Sequence, residues 1–104
     1  TAYRIIIGGW SNTKSTIRFG LGSNECVYVN HIPLSQTYFD EFWVSWTGNY
    51  VRVGSGSSVG SGSFLNCYHA SMYEVNFIHI RTCCGSSGEW RFPNGNKSFN
   101  SNFL

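Results

Sequence analysis

The run Phe42-Trp43-Val44-Ser45-Trp46-Thr47-Gly48-Asn49-Tyr50-Val51-Arg52-Val53-Gly54 constrains the fold more than any other part of the chain. Both arms are aromatic and β-branched residues that suit a pleated surface. The Gly48-Asn49 pair between them can take the positive φ values of tight turns that match strand twist. The run therefore reads as a complete β-hairpin. The same alternation of short apolar runs and Gly/Ser/Asn punctuation recurs along the chain and predicts strands near 3–7, 15–19, 25–30, 39–47, 50–53, 64–65, 74–82, 89–92 and 97–99. The expected fold is all-β: an antiparallel two-sheet β-sandwich with jelly-roll or Greek-key-like connections. Residues 54–63, rich in Gly and Ser, are expected to cross the sheet with Val59 anchored inside. A chain of 104 residues holds one domain, 1–104.

Charge narrows the function. Only 12% of residues are charged, against about 25% in an average protein, yet 41% are hydrophobic and 17% aromatic, so the chain folds and its polar surface must come from Ser, Asn, Thr and Gly. Such a surface hydrogen-bonds without strong charge and suits neutral sugars better than phosphates. A net charge of +2, with Lys14, Arg18, Arg52, Arg81, Arg91 and Lys97 scattered along the chain, predicts no nucleic-acid partner. No apolar stretch approaches the roughly 20 residues of a membrane-spanning helix, so no membrane insertion is expected. Thr1 in place of an initiator Met and four cysteines predict a mature, secreted, extracellular protein. Asn96-Lys97-Ser98 is a glycosylation sequon compatible with that location.

Cys83 and Cys84 are adjacent, and neighbouring Cα atoms stand about 3.8 Å apart whereas disulfides need about 4.4–6.8 Å. They are not expected to pair with each other. Each is then bonded to Cys26 or Cys67, or one is left to bridge two chains. Zinc is the other chemistry open to four cysteines, but the Cys-x-x-Cys spacing it favours is absent.

Three stretches, Ile7-Gly8-Gly9-Trp10-Ser11-Asn12-Thr13-Lys14-Ser15-Thr16-Ile17-Arg18, Phe42-Trp43-Val44-Ser45-Trp46 and Gly85-Ser86-Ser87-Gly88-Glu89-Trp90, resemble signature segments of the farnesoic acid O-methyltransferase-like domain, in matching order and spacing over about residues 3–92. The family name implies methyl transfer. The domain's use as a module of invertebrate extracellular proteins, sugar-binding lectins among them, implies recognition. A stretch that usually resembles Thr-Gly-Trp-Gly-Ser is here Thr82-Cys83-Cys84-Gly85-Ser86, and His79 and Arg81 stand where small residues are expected.

Two sugar-binding sites are candidates. His79 and Arg81 share a strand face, and Glu89 and Trp90 follow on the next strand; together they supply donors, acceptors and an aromatic plane for a sugar ring. In the structural alternative, Arg81 pairs with Glu89, His79 is partly buried and Trp90 lies in the core. The second candidate is the loop of residues 9–14, where Trp10, Asn12 and Lys14 join an indole, an amide and a cation at the rim of the sandwich. Its structural alternative makes Asn12 a turn residue and Trp10 a core plug. Trp43 and Trp46, three apart in a strand, should face opposite ways. Asp40 and Glu41 could contribute to a Ca²⁺ site, with Ca²⁺ the one possible cofactor. No acid–base pair or activated serine is recognisable among His31, His69, His79 and the five acidic residues, so no catalysis is expected.

The expected function is therefore that of a small secreted lectin for galactose-type or other neutral sugars, binding glycans or glycoproteins and gaining avidity as a homo-oligomer. The alternative is a non-catalytic extracellular protein-interaction module.

Overall fold

The computed structural model describes residues 2–20, 22–35, 37–73, 87–92 and 97–102, the last two segments by their backbone. The chain divides into two units, 1–74 and 75–104. The first unit is a pair of antiparallel three-stranded sheets. One contains β1 (Tyr3–Gly8), β2 (Lys14–Phe19) and β3 (Glu25–Asn30); the other contains β4 (Phe42–Thr47), β5 (Tyr50–Ser55) and β6 (Ser63–Tyr68), both in sequential order. In the second unit, β7 (Ser87–Phe92) pairs antiparallel with β8 (Lys97–Asn102), Glu89 opposite Asn100 and Trp90 opposite Phe99. The all-β expectation holds. Residues 74–82 lie outside the described residues, as do His79, Arg81, Cys83 and Cys84.

Period-two alternation accounts for the core. Ile17 of β2 and Val51, Val53, Leu65 and Cys67 of β5 and β6 are buried together, flanked by Tyr3, Ile5, Ile7, Phe19, Val27 and Val29. Their neighbours Lys14, Thr16, Arg18 and Tyr28 on the first sheet, and Tyr50, Arg52, Asn66 and Tyr68 on the second, therefore point to the two outer faces. At one end, the Tyr3 hydroxyl shares a 2.7 Å hydrogen bond with His69 Nδ1 and accepts one from the Tyr73 N–H at 3.1 Å, tying the chain after β6 back to β1.

One register shift rearranges this alternation. Ile17 pairs with Val27 but Arg18 pairs with Glu25, so Cys26 is the extra residue of a β-bulge. Regular alternation would send Cys26 outward with Tyr28. The bulge frees it to pack on the core, where it forms a disulfide with Cys67 of β6 across a Cα separation of 5.8 Å. This corrects the expected connectivity: Cys26 and Cys67 bond to each other rather than to Cys83 and Cys84. Geometry along the sequence excluded only the adjacent pair; the stacking of β3 against β6 selected the partners.

The hairpin is as expected, and its turn is of the glycine-first kind, with φ 61° at Gly48 and no positive φ at Asn49. Residues 56–62 depart from expectation. β5 and β6 are adjacent and antiparallel, so this segment is a local hairpin loop and not a crossing, and Val59 is 68% exposed. The loop's tight, glycine-dense path lets it fold over Trp43, whose Nε1–H donates to Ser61 O at 2.8 Å. Trp43 sits on Gly54, its cross-strand partner, so closely that a Cβ there would come within 2.3 Å of the indole. Trp43 is thus 6% exposed on the outer side of its sheet, while Trp46, opposite Val51, is 40% exposed.

Candidate functional site

The segment joining β1 and β2 is a single helical turn, Gly9–Asn12, of the wrong hand. Trp10, Ser11 and Asn12 have φ of 52°, 59° and 63°, following Gly8 at 69°. Left-handed helical backbone costs an L-residue about 1–2 kcal/mol, with Asn among the more tolerant types. Such strain persists only where surroundings impose it, and here they do. The Asn12 side chain clamps the backbone of Leu34, donating from Nδ2 to its carbonyl at 2.8 Å and accepting from its N–H at 3.0 Å. The Thr13 hydroxyl donates to Trp10 O at 2.6 Å, and the Thr13 N–H to Gly9 O at 3.0 Å. Behind them the Gly8 N–H donates to Ser15 Oγ at 3.1 Å, and that hydroxyl is 2.7 Å from His31 Nε2. Gly8 is required twice over, by its φ and because a Cβ would meet Leu34 Cδ1 at 2.5 Å.

The turn holds Trp10 against the outer face of the first sheet, with the indole 49% exposed. Lys14 Nζ lies 4.5 Å from the ring centroids of both Trp10 and Tyr28, and the Arg18 guanidinium 5.2 Å from Trp10. The bulge sets Glu25 opposite Arg18, and its Oε2 forms ion pairs with Lys14 Nζ at 2.9 Å and Arg18 Nη2 at 3.7 Å. Beneath this cover Thr16 is wholly buried, its hydroxyl donating to Val27 O at 2.9 Å. The site is thus a layer of two exposed rings bracketing an ammonium, with one carboxylate shared by two cations and Arg4, opposite Arg18, adding a third cation to the face.

The hydrogen bond from Lys14, helped by the charges of Lys14 and Arg18, holds the Glu25 carboxyl below its ordinary value of 4.5 despite the opposing effect of partial burial. A lowered carboxyl pKa stabilises the fold above the unfolded value, and that stability is lost as pH falls through the folded value. The difference in melting temperature between the native protein and Glu25→Gln is therefore expected to stay flat from about pH 8 to 5 and to close below about 4.5. Melts across that range measure it; a difference that persists at pH 2 would remove Glu25 from this role.

Of the residues expected to bind sugar, Trp10 stands exposed at this site and is not a core plug. Asn12 is placed beside it, but both ends of its amide are engaged with Leu34. Glu89 and Trp90 lie on β7, in the other unit. Lys14 and Arg18, scattered in sequence, are gathered on one face, together with Tyr28 and Glu25, neither of which sequence reasoning placed at a sugar site. The Lys14, Thr16, Arg18 alternation was the signal for the first two. Nothing short of the β2–β3 register could identify the others. Asp40 Oδ2 accepts from the Ser35 N–H at 2.6 Å, and no group of three or more His, Cys, Asp or Glu is assembled for a metal among the described residues.

Fold and site together define a disulfide-linked, antiparallel β module that presents an aromatic and charged sheet face. The chain belongs to the family described as farnesoic acid O-methyl transferase, whose model matches residues 1–96. "Uncharacterized protein 5" of Haliotis asinina is 32% identical over 80 residues, which cover 77% of this chain and 46% of that protein. The chain thus spans less than half the length of this relative. No solved structure matches. The disulfide fits an oxidising compartment, and no helix among the described residues is long and apolar enough to cross a membrane.

Proposed function

We propose that this chain is a secreted, non-catalytic carbohydrate-binding module, and that neutral, galactose-type sugars bind over Trp10 and Tyr28. The observation that carries this reading is the indole of Trp10, left half exposed on a turn whose strain is held in place by at least four hydrogen bonds. A rigid aromatic plane costs little entropy when the apolar face of a pyranose stacks on it. Lys14, Arg18 and Glu25 offer donors and acceptors to the hydroxyls. Glu25 engages both Lys14 and Arg18, and Arg4, opposite Arg18 on the same face, donates to Gly22 O at 3.0 Å, so the cations of this face already have partners within the protein, which favours hydrogen bonding to hydroxyls over capture of an anion. A single shallow site of this kind binds near the millimolar range, about −4 kcal/mol, so function in avid glycan binding would use several copies as a homo-oligomer.

The family's name favours methyl transfer as the rival activity. The sheets of residues 2–73 are antiparallel, whereas nucleotide-like cofactors are ordinarily held where a parallel strand runs through a glycine-rich turn into a helix. A protein-interaction module is the second reading, favoured by exposed Ile32, Leu34 and Tyr38 in the loop after β3.

Retention on galactose-agarose with elution by free galactose tests the proposal. Trp10→Ala is expected to reduce retention at least tenfold while leaving the melting temperature within a few degrees. Loss of retention in a chelator would add Ca²⁺ to the site. Unchanged retention of Trp10→Ala, or methyl transfer from S-adenosylmethionine by the purified protein, would overturn the reading.

A further inference from the structure

The outer face of the second sheet carries another set of aromatic and cationic residues. Register places Thr47, Tyr50 and Tyr68 in one row across β4, β5 and β6, and Ser45, Arg52 and Asn66 in the next row, two residues or about 7 Å along the strands. The Tyr50 and Tyr68 rings meet edge to face at 5.4 Å, and they are 38% and 56% exposed. The Arg52 guanidinium lies 4.3 Å over the Tyr50 ring. Unlike Lys14 and Arg18, Arg52 has no carboxylate within ion-pair distance among the described residues, where Glu25 serves the other sheet.

We propose that this face is a second binding site, for a sugar bearing a carboxylate or sulfate group. An unneutralised guanidinium fixed by stacking keeps its outward N–H groups directed for a planar or tetrahedral anion, and arginine binds such groups with paired hydrogen bonds. The tyrosine rings supply the surface on which a pyranose packs, and Ser45, Thr47 and Asn66 supply hydroxyl partners. The difference in ligand between the two faces follows from how their cations are engaged: Glu25 pairs with Lys14 and Arg18 on one, whereas among the described residues no carboxylate pairs with Arg52 on the other. Since the core residues of the two sheets face each other, the two sites look away from each other, and one chain can bridge two glycans without oligomerising. The inference rests on the reading above only in taking the domain to recognise glycans.

Binding of the full chain to a heparin hexasaccharide and to a galacturonate oligomer, each by calorimetry, tests it and distinguishes sulfate from carboxylate as the preferred anion. Arg52→Gln is expected to weaken the preferred oligosaccharide at least tenfold, and Tyr68→Ala to weaken it as well, with Trp10→Ala unchanged. Galactose retention by Arg52→Gln should match the native protein. Native affinity of Arg52→Gln for both oligosaccharides, loss of their binding in Trp10→Ala, or no binding by the native chain overturns the second site. If galactose is not retained but acidic oligosaccharides bind through Arg52, the neutral site falls and this one stands.

Discussion

Replacing Cys26 and Cys67 together with alanine is expected to lower stability by about 4 kcal/mol, the loop-closure entropy of a cross-link spanning 41 residues. For a domain of this size that is a fall in melting temperature of roughly 15–30 °C. The bond joins the two sheets through β3 and β6, so its loss is felt by the sandwich as a whole and not by one hairpin. The single variants should fall about as far, since either removes the same cross-link. Thermal or denaturant unfolding of the oxidised native protein against the double variant measures the effect. A loss under about 1 kcal/mol would mean that the denatured chain is not appreciably restrained by this bond.

Trp43→Ala is expected to cost about 3–5 kcal/mol. The side chain is nearly fully buried between Gly54 and the loop of residues 56–62, and alanine would leave a cavity that rigid sheet backbone on one side cannot fill. It would also leave the Ser61 carbonyl without its indole donor. Trp43→Phe separates the two contributions: the ring remains while the N–H is lost, for a cost nearer 1–2 kcal/mol. Against a typical total of about 5–15 kcal/mol, the alanine variant should be partly unfolded at body temperature, with the loop cleaved early by protease. A variant as stable as the native protein would show that the loop, and not the indole, seals this side of the sheet.

Sequence pattern revealed the strands of the first unit well because a strand with one buried face must alternate. The hairpin around Gly48 was legible because few residue pairs tolerate its turn. The path of residues 56–62 is not legible in the sequence because glycine and serine permit many paths and specify none, so only the neighbouring Trp43 shows which path is taken. The left-handed turn was equally hidden. Glycine at positions 8 and 9 and asparagine at 12 allow positive φ, but Trp10 and Ser11 argue against it, and the clamp on Leu34 that outweighs their preference comes from 22 residues away.

The amino-acid sequence by itself determined an all-β chain, the alternation that divides core from surface, and the presence of an aromatic–cation loop at Trp10. Only the tertiary structure decided which cysteines meet and that Glu25 pairs with both Lys14 and Arg18. The physical reason is the bulge at Cys26 and the packing of β3 against β6. Local propensity acts on neighbours along the chain, whereas a one-residue slip in register reverses which side every preceding residue faces, and that slip is selected by what the opposite sheet offers.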